Sequence, residues 1–180
     1  MRSEDVVDLY QELTRNGVAL WIDSGWAVDA AVGRQTRAHA DLDIAVESKF
    51  VSQLRQILAQ RGYRESTSVN AIDWNFILAD HEGRRIDVHV VVLDELRGAC
   101  ADPLEGIAYP AGSLTGEGAI AGAFVRCVSA EALLRFKTSY APRDCDRDDV
   151  AVLCALLGRR VPDTHIKGKQ TPRCRDGGRC

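Results

Sequence analysis

No stretch of this sequence is apolar for long enough to cross a membrane, and no apolar run opens the chain. A soluble, cytoplasmic protein with no membrane partner is therefore expected. No pair among the six cysteines has Cys-x-x-Cys spacing, which removes the commonest zinc-site pattern. With no secretory signal, these cysteines are expected as reduced thiols, with Cys127 and Cys154 inside apolar patterns as core residues. Positive charge is not in excess either. A net charge of −3 and a pI near 5.8 argue against a general nucleic-acid binder. There is no internal repeat. What is present is 180 residues, 46% hydrophobic and 27% charged. That suits one compact domain, or a core plus a small lobe, with enough interior to need no disulfides.

The stretch from Leu20 to Val46 organises the rest. Leu20, Trp21 and Ile22 suit a short buried strand. Ser24-Gly25 breaks it, and Trp26 to Val32 suits a helix ended by Gly33. A glycine between strand and helix lets the backbone approach a ligand closely. The helix start beyond it offers unpaired N–H groups to an anion such as phosphate. Arg34 and Arg37 follow, and then Asp41-Leu42-Asp43. On a strand the side-chain period is two, so Asp41 and Asp43 face one way and Leu42, Ile44 and Val46 the other. Two neighbouring carboxylates repel unless positive charge lies between them. A divalent ion such as Mg²⁺ supplies it, using one or two carboxylates together with substrate phosphates.

Before this stretch, Ser3 to Asn16 reads as an amphipathic helix, with Val6, Leu9, Tyr10 and Leu13 on one face. After it, Ser48 starts a helix through Leu54, Ile57 and Leu58 that Gly62 closes. Strands near Trp74–Ala79 and Arg84–Leu93 flank a His-Glu-Gly turn and predict an antiparallel hairpin. In the second of them Ile86, Val88 and Val90 alternate with Asp87 and His89. If the two polar faces converge, three carboxylates and an imidazole surround one point. Residues 94–118 predict loops with short strand pieces, and Phe124 to Val128 another strand. Ser129 to about Tyr140 and Asp144 to Leu157 predict two helices. The expected organisation is a core at 1–128, a helical lobe at 129–160 and a disordered tail at 161–180.

Several side chains carry two readings each. Trp26 either stacks on a ligand or packs its helix onto the sheet. Asp29 reads as a solvated helix residue ahead of a supporting role in a site, and His39 as structural or surface ahead of a ligand. Arg37, nearer the carboxylates than Arg34, is the better phosphate clamp. Lys137 is a surface lysine or a cation that reaches a triphosphate from the second lobe.

Ser24-Gly25-Trp26, Asp41-Leu42-Asp43 and the separated Asp87 resemble the signature of the DNA polymerase β type nucleotidyltransferase superfamily. The longer stretches WIDSGWAVDAAVGRQTRAHADLDI, IDVHVV and RCVSAEALLRFKTSYAPRDCDRDDVAVL resemble the small antibiotic nucleotidyltransferases, lincosamide enzymes above aminoglycoside 2″ enzymes. The resemblance spans about Leu20 to Leu157. It implies an α+β nucleotidyltransferase fold, a mixed β-sheet flanked by helices with a small C-terminal helical lobe. It implies transfer of a nucleoside monophosphate from ATP or another NTP to an antibiotic hydroxyl, with release of pyrophosphate. Asp41, Asp43 and Asp87 would hold Mg²⁺, with Asp87 alternatively the general base. Ser24 and the backbone at Gly25 would cradle the terminal phosphates; Arg37 and Lys137 are the nucleotide-binding cations that the residues themselves suggest. A homodimer is compatible with the resemblance.

Three positions depart from it. Ser24 stands where the antibiotic enzymes usually have glycine. Lys137 replaces a histidine of the lincosamide enzymes, and Asp148 an aromatic residue or histidine. The last two border the acceptor side and bear on the substrate. The acidic run Asp144, Asp146, Asp148 and Asp149 keeps a polycationic aminoglycoside open as acceptor. Two further readings compete with antibiotic modification: a protein-modifying nucleotidyltransferase of a toxin–antitoxin pair, and a non-catalytic nucleotide-binding protein.

Overall fold

The computed structural model describes residues 1–66, 74–93, 100–101 and 108–166. Helix α1 (Ser3–Arg15) buries Val6, Leu9, Tyr10 and Leu13, the predicted face. The short strand β1 (Leu20–Ile22) is buried throughout and leads into helix α2 (Ser24–Val32). Strand β2 (Asp41–Glu47) follows, then a 3₁₀ turn at 48–50 and helix α3 (Val51–Gln60). The helix therefore starts later than the sequence implies, because residues 48–50 take the tighter turn first. Next come β3 (Arg64–Glu65), β4 (Asn75–Ala79), β5 (Arg85–Leu93), β6 (Cys100–Ala101) and β7 (Ala108–Tyr109). A 3₁₀ turn at 113–115 precedes β8 (Gly116–Ile120) and β9 (Ala123–Cys127). Helices α4 (Ala130–Lys137) and α5 (Asp144–Leu156) and a 3₁₀ turn at 163–165 complete the described chain.

The main sheet is mixed, in the order β3-β4-β5-β2-β1-β9-β8. β4 and β5 form the expected antiparallel hairpin, and β5 then lies parallel to β2. β1 pairs antiparallel with β2 and parallel with β9. The chain is thus an α+β protein with five described helices around a mixed sheet.

Strand alternation decides which face meets the core. Leu42, Ile44 and Val46 of β2 and Ile86, Val88 and Val90 of β5 join the main cluster with Leu54 and Leu58 of α3 and Val6, Leu9 and Leu13 of α1. Each such side chain, fully buried, contributes about 1.5–3 kcal/mol of transfer free energy. On the opposite face Trp21, Ala45 and Val91 form a second, smaller apolar cluster with Tyr109 and Leu114 against it. The polar residues of β2 and β5 share that second face.

Helix α2 lies directly on β8. A Cβ at Gly118 would run into the backbone carbonyl of Ala30, so only glycine permits this approach. The expected disordered tail falls partly outside the described residues. Its beginning is folded: His165 is buried, and its Nε2 lies 3.0 Å from the Lys137 carbonyl oxygen.

Candidate active site

Parallel pairing of β2 and β5 sets Asp43 beside Asp87, Ala45 beside His89 and Asp41 beside Arg85. Backbone register alone therefore brings together groups from segments more than forty residues apart. One ligand atom from each of Asp43, Asp87 and His89 can be chosen so that all lie within 4.8 Å of one another. His89 Nε2 is 3.9 Å from Asp43 Oδ1, and the Asn75 side-chain amide is 3.3 Å from His89 Nδ1. Asp87 Oδ1 is buried and has no hydrogen-bond partner among the described residues.

The electrostatics follow from this crowding. Burial pushes the Asp87 carboxyl above the usual carboxylate range, and the charges of Asp43 and Asp41 push it further, against the pull of His89. Burial pulls the His89 imidazole down. The close contact with Asp43 and the charges of Asp23, Asp87 and Asp43 overcome that and raise it to about 9. Asp41 is felt at this point through its charge, but its carboxylate lies outside the close Asp43–Asp87–His89 group. A buried, unpartnered carboxylate oxygen facing a second carboxylate and an imidazole is a donor set that fits a divalent cation.

The turn between β1 and α2 sits beside this cluster, since Asp23 N–H donates to the Asp43 carbonyl oxygen at 2.9 Å. Ser24 has φ of +52°, a left-handed conformation that costs a non-glycine residue about 1–2 kcal/mol. The Asp23 carboxylate holds it there. One oxygen accepts from Ser24 N–H at 2.6 Å and the other from the Tyr109 hydroxyl at 2.6 Å. Tyr109 in turn meets Phe136 of α4 edge-on, with ring centroids 5.5 Å apart. At Gly25 a Cβ would lie 2.6 Å from His39 Nδ1 and would also run into Arg37 Nη2. The backbone at the helix start is thus pressed against an arginine and a histidine.

His39 is buried and bonds to Asp29 at 2.5 Å, and Asp29 also accepts from the Thr36 N–H and hydroxyl. Asp29 is only 2% exposed, so the expectation of a solvated helix residue is corrected. Its polar partners lie in the loop after α2, where helical periodicity carries no signal. Trp26 is 1% exposed, donates to the Asp41 carbonyl oxygen at 3.1 Å and lies against His39, so it packs rather than stacking on a ligand.

Arg37 and Lys137 meet at one carboxylate. Asp149 Oδ1 and Oδ2 accept from Arg37 Nε and Nη2 at 2.8 and 2.9 Å, and Lys137 Nζ lies 2.8 Å from Oδ2. Lys137 also lies 3.3 Å from Asp146, which binds Arg143 and the Tyr140 hydroxyl. Lys137 is 4% exposed, and Asp146 and Asp149 are fully buried. The sequence offered the last two as part of an acidic acceptor surface; that is corrected, because both point inward and are neutralised. A signal was there to find. Asp146 and Asp149 fall on the α5 stripe of Val150 and Leu153, and a carboxylate on an apolar stripe needs a buried cation. Sequence reasoning also misses Asp23, although an aspartate just before a helix is a standard N-cap.

The family model described as aminoglycoside-2''-adenylyltransferase matches residues 5–153. The chain belongs to this family. A lincosamide resistance protein of Staphylococcus haemolyticus is 27% identical over 152 residues, 84% of this chain and 91% of that protein. A 2''-aminoglycoside nucleotidyltransferase of Escherichia coli is 35% identical over 123 residues, 64% of this chain and 60% of that protein. Among solved structures, a lincosamide antibiotic adenylyltransferase bound to lincomycin aligns with a TM-score of 0.73 at 24% identity, covering 85% of this chain and 96% of that one. ANT(2'')-Ia in complex with adenylyl-2''-tobramycin aligns with a TM-score of 0.70 at 23% identity, covering 87% of this chain and 89% of that one. Both likenesses show the fold. This member of the antibiotic nucleotidyltransferase family is thus an enzyme of the nucleotidyltransferase type, built on the nucleotidyltransferase fold. No helix among its described residues is long and apolar enough to cross a membrane.

Proposed function

We propose that this enzyme transfers a nucleoside monophosphate from ATP to a hydroxyl of a lincosamide antibiotic. The observation that carries the reading is the Asp43–Asp87–His89 group beside the braced turn at Ser24 and Gly25. The triphosphate lies at the start of α2, where the helix dipole favours an anion and glycine lets the backbone approach it closely. Ser24, Gly25 and Arg37 receive its outer phosphates. The acceptor hydroxyl attacks the α-phosphorus. A new P–O bond forms, the bond to the β-phosphate oxygen breaks, and pyrophosphate leaves.

The hydroxyl proton passes to Asp87. Its buried, unpartnered oxygen suits a base, and such proton transfer contributes about 10²–10⁴-fold. A divalent cation, Mg²⁺ by charge and ligand type, supplies neutralisation of the phosphate oxygens when held by Asp43 and Asp87 with Asp41 alongside. His89 orients Asp43, and Asn75 fixes the imidazole from its other side. The core at 1–128 carries these groups, and the helical lobe at 129–160 closes over the turn through Tyr109–Phe136 and Arg37–Asp149.

Two features favour a lincosamide over an aminoglycoside. A lincosamide resistance protein is matched over 84% of this chain and 91% of its own length, against 64% and 60% for the aminoglycoside enzyme. Asp146 and Asp149 are already neutralised by Arg143, Lys137 and Arg37 and offer no anionic surface to a polycation. The second reading, aminoglycoside 2″-O-nucleotidylation, is favoured by the higher identity of the Escherichia coli enzyme over a shorter span. The test is incubation of purified protein with Mg²⁺–ATP and each drug class, followed by mass spectrometry of the drug. A nucleotide-sized gain on lincomycin or clindamycin supports the first reading. A gain on tobramycin or kanamycin alone moves the assignment to the second.

A further inference from the structure

Two cations are candidates for the nucleotide, and in the folded protein both are committed to the same carboxylate, Asp149, which is fully buried. A buried carboxylate that loses its cations is costly, about 3–5 kcal/mol when a pair is broken, so both cations cannot turn to a triphosphate together. Their surroundings differ. The Lys137 side chain is 5% exposed, lies between Asp146 and Asp149, and has His165 against its carbonyl oxygen. The Arg37 side chain is 24% exposed, and its Nη2 lies against Gly25 at the start of α2.

The fork geometry separates the two cations further. Asp149 takes the Nε–Nη2 edge of Arg37, and one Nη1 hydrogen goes to the Ala38 carbonyl oxygen. Guanidinium has five N–H donors, so two have no partner among the described residues while the group remains bound to Asp149. Lysine has no such second edge.

We infer that Asp149 is a positioning residue for the nucleotide: it holds the Arg37 guanidinium by one edge against Gly25 so that the other edge meets the terminal phosphates, while Lys137 stays behind as the buried counter-charge of Asp149. This rests on the assignment of the triphosphate to the start of α2. It separates the roles of two residues that the sequence places together. It also makes helix α5 responsible for the geometry at the N-terminal phosphate turn, acting through Arg37, 112 positions from Asp149 in the chain.

The experiment is a double-mutant cycle on Arg37→Gln and Asp149→Asn, with Arg37→Lys as the variant that keeps charge but not the fork. ATP binding is measured directly by calorimetry on protein shown to be folded by circular dichroism. Steady-state kinetics then give KM for ATP and for the acceptor separately. Asp149→Asn and Arg37→Gln are each expected to weaken ATP binding by about tenfold or more, as for loss of a charged hydrogen bond. KM for the acceptor is expected to stay within about twofold, which a loss of folded protein alone would not arrange. The double variant should be no weaker than Arg37→Gln, because Asp149 acts only through Arg37. Arg37→Lys, which needs no buried charge removed, should lose about as much as Arg37→Gln. If Arg37→Lys binds ATP like the wild type, or if the losses in the cycle add, the inference is overturned. If the wild type itself binds no ATP, the assignment of the nucleotide site falls instead.

Discussion

Replacing Asp87 by asparagine should make the cation-free protein more stable while removing its activity. The carboxylate sits beside Asp43, feels Asp41, and has one buried oxygen without a partner among the described residues. Its pKa is raised in the folded state, so at neutral pH the folded state bears a cost that the unfolded chain does not. Asparagine keeps the shape, removes the charge repulsion and forfeits the attraction to His89. A net gain of about 1 kcal/mol, or roughly 2–4 °C in Tm for a chain of this size, is expected in the presence of EDTA. Mg²⁺ at about 100 times its Kd should then raise the wild type by about 2.7 kcal/mol, roughly 5–10 °C, and the variant by much less. Nucleotide transfer by Asp87→Asn should fall about 10²–10⁴-fold. Differential scanning fluorimetry with EDTA, and then with MgCl₂, reads both shifts. A variant that melts below the wild type in EDTA, or that gains as much from Mg²⁺, would refute the placement of a cation at this carboxylate.

Gly25→Ala should fold but bind ATP poorly, because its Cβ must displace His39 and Arg37; a rise of about tenfold or more in KM for ATP is expected from steady-state assays. Lys137→Met leaves two buried carboxylates short of a cation and should cost about 3–5 kcal/mol, read by urea unfolding. The acid limb of stability should follow Asp146 and Asp149. Burial pushes both carboxyls up, but Arg143, Tyr140 and Lys137 at Asp146, and Arg37 and Lys137 at Asp149, hold them below the ordinary 3.8. Their contribution is therefore present above about pH 4 and is lost as pH falls through the lowered values, so Tm should drop steeply below pH 4. An Asp146→Asn/Asp149→Asn variant should be less stable at neutral pH and lose much of that slope.

The acids of the site were legible because strands carry a strict period of two. Leu42, Ile44 and Val46 had to face a core, so Asp41 and Asp43 had to face away, and the same held for Asp87 and His89. Sequence could not supply the parallel β2–β5 pairing that makes Asp43 and Asp87 neighbours, since register between distant segments leaves no local mark. The break at Ser24-Gly25 was readable as a turn into a helix. Its brace was not, because Tyr109 comes from a strand far along the chain and nothing local ties it to Asp23. The misreading of Asp146 and Asp149 has a different cause. Four acids close together look like a solvated run when counted, and only their spacing on the helix separates the buried pair from Asp144, whose side chain is 98% exposed.

Because the distance between Asp43 and Asp87 is fixed by one backbone ladder, the length of chain that joins the two strands is free to vary. The hairpin tip at His81–Gly83 is exposed and belongs to that connection. Foreign sequence, such as an epitope tag or a fluorescent reporter, can be spliced in there with the acids left undisturbed, which makes this bend the natural handle for following the enzyme inside a living cell.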